Sequence, residues 1–205
     1  MIPNIVDGGD TAGLMRYLVG PGGAGEHEDP HLVAGDGVLL DFFPDRFELN
    51  VDVATQIASM LDRYMNVMRV HPTGRIRNFS AKTGKTEVIG RGRNHVWHCT
   101  LCLSPTESFL EDETWQLIAT DFMDEMGFTE ASGKAPCRWV AVRHGASKNG
   151  GDHIHIAANI VRGDGTKWSP WRDQVIAHRV CNSLEHKYGL EVLESREGAP
   201  VRGRR

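Results

Sequence analysis

The chain of 205 residues lacks the features that mark membrane and secreted proteins. No apolar run approaches the roughly 18 residues that a transmembrane helix needs, so the sequence predicts no membrane span and no membrane partner. The N-terminus has no basic stretch followed by an apolar block, so no secretory signal is visible. Internal repeats and low-complexity tracts are absent as well. We therefore expect an ordinary globular protein located in the cytoplasm.

Cysteine is also scarce, since the chain has only Cys99, Cys102, Cys137 and Cys181. Cys99 and Cys102 have the C-x-x-C spacing found in many zinc and redox sites. On a strand, however, residues three apart point to opposite faces, so these two thiols are not arranged to share a metal ion. We expect four reduced cysteines, buried or half-buried, as suits a cytoplasmic protein.

A net positive charge, the usual mark of a nucleic-acid-binding protein, is missing too, because the formal net charge is −4. The charges are nevertheless unevenly distributed. Residues 1–62 contain 11 acidic and 2 basic residues, whereas residues 69–93 contain one acidic and seven basic residues. The local potential of such a segment can steer a nucleic acid whatever the net charge is.

Turns at residues 72–74 and 83–85 predict a strand–turn–strand arrangement for this basic segment. Its basic side chains are candidate DNA contacts, although a hairpin whose charges only keep it soluble fits the pattern equally well. The candidate DNA-binding residues are Arg69, Arg75, Arg77, Lys82, Lys85, Arg91 and Arg93.

Hydrophobic residues make up 40% of the chain, enough for a sizeable core. Their spacing predicts helices over residues 11–20, 51–70, 111–126 and 171–188, and strands over 95–104, 137–144 and 153–161. A long glycine-rich loop is expected from residue 20 to residue 37. The mixed order predicts an α+β fold with a central antiparallel sheet flanked by helices. Residues 1–195 are assigned to one domain, and residues 196–205 to a basic tail.

Histidines are the most informative feature of the sequence. His153 and His155 alternate with Ile154 and Ile156, so on a strand the two imidazoles share one face and the isoleucines face the core. His144 ends the preceding strand, and a glycine-rich turn leads back towards the pair. Neutral imidazoles are good ligands for divalent ions, and three of them leave open positions for phosphate oxygens. A polar strand face without a metal is the alternative interpretation.

Tyrosine is scarce, and only Tyr17, Tyr64 and Tyr188 can supply a phenol as nucleophile. Tyr64 falls in the apolar stripe of a predicted helix, and Tyr188 lies at a helix end where packing roles are common. Tyr17 precedes the glycine-rich loop, where it can be exposed. A phenol has a pKa near 10 and must lose its proton to attack phosphorus. Tyr17 is the best candidate, although a structural tyrosine is commoner at such a position.

Four segments carry a resemblance to a known family. They are residues 13–35 with Tyr17, residues 95–128 with His98, residues 143–156 with the three histidines, and residues 184–196. Together they resemble the N-terminal domain of plasmid mobilization relaxases, which are members of the HUH endonuclease superfamily. The resemblance spans almost the whole chain, and the combination of histidines is its most specific part.

The resemblance implies an enzyme that cuts one DNA strand at a plasmid origin of transfer. Tyr17 would attack the scissile phosphate, keep the 5′-phosphate covalently and release a 3′-hydroxyl, and the reverse reaction would rejoin the strand. His144, His153 and His155 would bind a divalent ion, Mn²⁺ or Mg²⁺. No nucleotide cofactor is implied, because the covalent bond conserves the phosphodiester energy.

The partners implied are origin-of-transfer DNA, as the single-stranded nick region with an adjacent hairpin duplex, together with accessory relaxosome proteins and a coupling protein. The resemblance also implies that the basic tail begins a linker to further domains.

Two departures from the family pattern affect the choice of supporting residues. Several relaxases have an acidic residue two positions after the first histidine, where this chain has Ala146. An acid that orients a ligand histidine must then come from elsewhere. Asp152 alternates to the opposite face, so the acidic residues of the loop are the candidates, namely Glu26, Glu28 and Asp29.

Other histidines are also candidates for roles at the site. Some relaxases use a histidine as nucleophile, so His27 and His31 are alternatives to Tyr17. His98 shares a strand face with Thr100 and Cys102, and we expect it to support a ligand histidine or to contact DNA, unless it is an ordinary surface histidine.

Two other functions stay open from the sequence. One is a non-catalytic module that binds origin or promoter DNA with the same fold. The other is a histidine–metal hydrolase of small phosphoesters or an oxygenase, in which water rather than Tyr17 would be the nucleophile.

Overall fold

The computed structural model describes residues 1–20, 29–43, 49–80, 84–147 and 150–193, and for residues 76–80, 85 and 86 it describes the backbone alone. The strands are β1 (Ile2–Gly8), β2 (His31–Gly35), β3 (Thr73–Ser80), β4 (Lys85–Arg93), β5 (Val96–Cys102), β6 (Cys137–Ala146) and β7 (Asp152–Arg162). The helices are α1 (Thr11–Val19), α2 (Gly37–Phe42), α3 (Val51–Leu61), α4 (Arg63–Met68), α5 (Asp112–Glu125) and α6 (Asp173–Tyr188).

Five of these strands form one antiparallel sheet in the order β1-β5-β7-β6-β2. The long strand β7 is central, and all of its residues are buried. Helices cover both faces of the sheet, so the α+β fold predicted from the sequence is confirmed. Within the described ranges, every helix is too short or too polar to cross a lipid bilayer.

Side-chain alternation divides the core into two layers, one on each face of the sheet. On one face, Ile154 and Ile156 of β7 pack with Trp97 and Leu101 of β5 and with the apolar sides of α5 and α6. On the other, Ala157 of β7 packs with residues of α1, α2 and α3, among them Met15, Leu18, Leu39, Ile57 and Leu61. The predicted inward side of helix 111–126 is confirmed, since Trp115, Ile118, Phe122 and Met126 are buried.

The predicted helix over residues 51–70 is broken into α3 and α4 at Asp62. The Asp62 carboxylate accepts hydrogen bonds from Thr11 and Asn159, which ties the break to α1 and β7. After the break the apolar stripe no longer faces the core. Tyr64 is therefore only half-buried, with the Arg138 guanidinium 4.7 Å from its ring centroid, and Met68 is exposed.

Two strands, β1 and β2, were not predicted from the sequence. The long loop expected from residue 20 to residue 37 contains β2, which pairs with β6 at the edge of the sheet, and α2 begins at its end. β1 forms the other edge, and its exposed Ile2 and Val6 and its internal proline give no clear apolar alternation.

The basic segment forms a separate hairpin, β3–β4, as its turns predict. All four cysteines are free thiols, with Cys102 half-buried and the other three buried. Burial raises the pKa of Cys137 to about 12, so this thiol is unreactive near neutral pH.

The start of α1 is fixed by an N-terminal cap at Asp10, whose carboxylate accepts a hydrogen bond from the Gly13 amide at 2.8 Å. We expect Asp10→Ala to lower the free energy of unfolding by about 1 kcal/mol, because this amide loses its acceptor. Urea denaturation followed by circular dichroism measures the change. Asp10→Asn, which keeps an oxygen acceptor, is the control. An unchanged midpoint for Asp10→Ala would show that the cap contributes nothing.

Candidate active site

The three predicted metal ligands come together at one end of the sheet. One ligand nitrogen from each of His144, His153 and His155 lies within 4.8 Å of the other two. The ring centroids are 5.0 Å apart for His144 and His153, 4.5 Å for His144 and His155, and 5.0 Å for His153 and His155. The three histidines do not lie on an open face, because they are only 2%, 5% and 9% exposed. The layer of α1, α2 and α3 covers the same face.

His144 lies in a β-bulge beside the other two histidines. β6 pairs with β7 at Arg143, opposite Ile154, and again at Ala146, opposite Asp152, so β6 has one extra residue between these pairs. Gly145 takes up the extra residue with a φ of 80°, a conformation that glycine adopts without strain. Bulges of this kind re-aim side chains beside functional sites.

His98 and Thr100 on the neighbouring strand β5 contact the third histidine. His98 Nε2 is 2.9 Å from His155 Nδ1, and Thr100 Oγ1 is 3.2 Å from the same nitrogen. Burial lowers the pKa of His98 to about 4, so the ring is neutral near pH 7. These contacts restrain the orientation of the His155 ring through its Nδ1.

The donor set fits a divalent ion. Neutral imidazoles suit manganese and other first-row ions, and three of them leave positions for oxygen ligands. Two nitrogens that are each about 2.1 Å from the same ion lie at most about 4.2 Å apart. The ligand nitrogens of the three histidines lie within 4.8 Å of one another, so a small inward rotation of the rings would bring them to bonding distance of one ion. His144, His153 and His155 are therefore the residues that would hold the metal.

Tyr17 lies on α1, and α1 packs on the histidine-bearing face of the sheet. Met15 and Leu18 of this helix share a core layer with Val142 and Ala157, which are each two residues from a histidine of the site. Tyr17 itself is 49% exposed, on a helix that is anchored to the histidine-bearing face of the sheet.

The other candidate nucleophiles are placed less favourably. The Tyr188 hydroxyl donates a hydrogen bond to Asp121 in the α5–α6 layer, across the sheet from the histidines. His31 was expected in the loop but lies on β2, where its Nε2 is 3.1 Å from an Asp112 carboxylate oxygen and its Nδ1 is 2.7 Å from the Asp29 carbonyl. Because Asp112 begins α5, His31 faces the α5 layer rather than the histidine site.

Some predicted residues lie outside the described structure. Glu26, Glu28, His27 and Lys82 fall in undescribed segments, as does the tail of residues 196–205, and the side chains of Arg77 and Lys85 are not described. Arg69, Arg75, Arg91 and Arg93 are exposed. In the hairpin, Arg75 is directly opposite Arg91, and Arg93 lies two residues further along the same face.

The sequence analysis missed a buried polar cluster at the other end of this face. The Thr11 hydroxyl donates to Asp62 at 2.7 Å and lies 3.0 Å from His95 Nε2, and the Asn159 amide donates to Asp62 at 2.8 Å. Burial alone would raise the pKa of Asp62, but hydrogen bonds from His95 and Thr11 outweigh it and lower the pKa. Asn159 is four residues after His155 on the same strand face, and this spacing could have revealed it.

The model of one protein family matches residues 52–190, which is more than half of the chain. Its description is relaxase, MobA/VirD2-like, nuclease domain. The chain belongs to the MobA/VirD2-like relaxase family. This membership implies a DNA-nicking enzyme. The matched residues include the three histidines, His98 and the basic hairpin, whereas Tyr17 precedes them.

Among solved structures, a metal-bound conjugative relaxase TrwC in complex with oriT DNA is similar over 96% of this chain and 74% of its own, with 12% identity and a TM-score of 0.39. So distant a likeness supports no transfer of residue roles. No curated protein sequence matches this chain significantly.

A metal held by the three histidines would stabilise the folded relaxase. We expect saturating Mn²⁺, at about 100 times its dissociation constant, to add about 2.7 kcal/mol to the free energy of unfolding. His153→Ala should lose most of this gain because one of three ligands is gone. Differential scanning fluorimetry with and without MnCl₂ measures the shift, with His71→Ala, at an exposed histidine, as control. Equal shifts for wild type and His153→Ala would contradict the site.

Proposed function

We propose that this relaxase nicks one DNA strand at a plasmid origin of transfer by metal-assisted transesterification, with Tyr17 as nucleophile. One observation carries the proposal: three buried imidazoles converge on the sheet face to which the helix of Tyr17 is anchored. A divalent ion in this position would polarise the scissile phosphate and stabilise the charge that develops on its oxygens.

Other residues of the chain would present the nucleophile and orient a ligand histidine. Because α1 is packed beside the sheet and Tyr17 is exposed, an incoming strand can meet the phenol without local unfolding. His98 and Thr100 hold the His155 ring so that one nitrogen stays directed to the phosphate site.

The proposed step exchanges one phosphate ester for another. A bond forms between Tyr17 Oη and phosphorus while the bond from phosphorus to the 3′-oxygen breaks. The phenol loses its proton, the departing 3′-oxygen gains one, and the 5′-phosphate stays on the tyrosine. The reverse attack by the 3′-hydroxyl restores the strand, so no nucleotide cofactor is needed for rejoining.

The basic hairpin is proposed to bind the origin DNA. Arg75 and Arg91 are a directly opposed pair of like charges, which by itself destabilises a hairpin. A phosphate between them would offset the repulsion, since each guanidinium can donate two hydrogen bonds to it. We also propose a cytoplasmic location, with accessory relaxosome proteins and a coupling protein as partners.

A covalent adduct would test the nucleophile. With Mn²⁺ and a single-stranded origin oligonucleotide labelled on its 3′ side, wild type should give a band shifted by the protein mass on a denaturing gel. Tyr17→Phe should remove the adduct because no phenol remains, and Tyr64→Phe should retain it. DNA binding with no adduct from wild type would instead favour a non-catalytic DNA-binding module. An adduct from Tyr17→Phe would move the nucleophile elsewhere, to His27 or Tyr64.

We expect DNA binding and strand cleavage to depend on different residues. His155→Ala should lower the nicking rate by at least about 100-fold, because charge stabilisation at the phosphate is lost, while the dissociation constant for the oligonucleotide changes little. Single-turnover nicking and fluorescence anisotropy measure the two quantities. Parallel losses of rate and affinity would contradict this division.

The hairpin has its own test. Arg75→Ala with Arg91→Ala should weaken binding and reduce the slope of log affinity against log salt by about 0.7 for each single-strand phosphate contact removed. Arg179→Ala, at an exposed arginine on α6, is the control with unchanged slope. A slope unaffected by the double substitution would leave the hairpin without a role in binding.

A further inference from the structure

A buried carboxylate lies directly behind the histidine site. Asp152 precedes His153 on β7, and its side chain turns to the α5 face, where it is only 1% exposed. Its oxygens accept hydrogen bonds from the Trp115 indole and the Leu110 amide, both at 2.8 Å. A charge this deeply buried persists only when it is fully hydrogen-bonded and paired with a cation.

The cation is Arg143, which precedes His144 on β6. Its Nε is 3.2 Å from Asp152 Oδ1 and its Nη2 is 3.0 Å from Asp152 Oδ2, so the pair is bidentate. This fork-to-fork geometry fixes orientation as well as distance. Arg143 and Asp152 are also the residues at the two limits of the bulge, since β6 and β7 pair at Arg143 and again opposite Asp152. The ion pair therefore spans the irregular segment that carries His144.

A second anchor holds the other side of the guanidinium. Arg143 Nη1 donates to Asp112 at 2.6 Å, and Asp112 in turn contacts His31 of β2. The guanidinium is thus fixed between the central strand and the first turn of α5. Each of the two ligands His144 and His153 has a chain neighbour in this network, although the network itself lies on the opposite face of the sheet.

We infer that Arg143 and Asp152 are positioning residues for the metal site, which together hold the bulge so that His144 stays directed at His153 and His155. The inference rests on the proposed metal-binding function. A bulge lacks part of the regular ladder of hydrogen bonds, so the side chain it carries needs another constraint. The bidentate pair supplies that constraint without contacting metal or DNA.

Arg143→Lys is the most selective test. Lysine keeps the positive charge next to Asp152 but cannot form the two parallel hydrogen bonds. We expect calorimetric titration of the DNA-free protein with MnCl₂ to show binding about tenfold weaker than wild type, as for other residues that orient ligand histidines. Affinity for the origin oligonucleotide in EDTA should stay at the wild-type level.

The same strand offers a matched control in the ion pair of Arg138 with Asp36. The side chains of that pair are 11% and 14% exposed, and Arg138 lies on β6 far from the bulge. Arg138→Lys should alter the stability of the protein but leave the affinity for Mn²⁺ unchanged. If both substitutions weaken Mn²⁺ binding equally, the effect is general destabilisation and the inference is overturned.

A second variant decides the matter if Arg143→Lys does not fold. Asp112 is 34% exposed, so Asp112→Asn removes one anchor of Arg143 with less risk to the core. A smaller loss of Mn²⁺ affinity in the same direction supports the inference, and an unchanged affinity overturns it. Wild-type protein that binds no Mn²⁺ would overturn the metal site itself, whereas normal binding by wild type and both variants would overturn the positioning role alone.

Discussion

The alternation of side chains along β7 is the constraint on which the rest of the structure depends. Successive residues of this strand face opposite layers, so Ile154 and Ile156 build one core while His153 and His155 reach the other side. Because β7 lies between β5 and β6, each histidine has neighbours on both flanks that can hold it. The apolar layer behind the strand makes this arrangement stable, since the isoleucines bind the strand to α5 and α6.

Much of this could be read from the sequence. The alternation around His153 determines which side chains of the strand share a face, and the apolar stripe of helix 111–126 determines its buried side. Both were predicted correctly. The prediction that the C-x-x-C cysteines point to opposite faces of a strand was also correct, since Cys99 is buried and Cys102 is half-buried. These features are local, so periodicity alone specifies them.

Features that depend on distant residues could not be read in the same way. The break at Asp62 is associated with hydrogen bonds to Thr11 and Asn159, which are far apart in the chain. The strand β2 is short and follows a glycine-rich segment, and only its pairing with β6 makes it a strand. The histidines lie on the sheet face that α1, α2 and α3 cover, and no pattern around His153 reveals this layer.

The central strand also limits how such a domain can change in evolution. A single residue gained or lost between His153 and His155, unless a bulge absorbed it as in β6, would turn one of these imidazoles towards the isoleucines and indoles of the opposite core layer. Point substitutions can drift one at a time, but length changes here would destroy core and site together. In this strand a change of length is therefore expected to be more disruptive than most single substitutions.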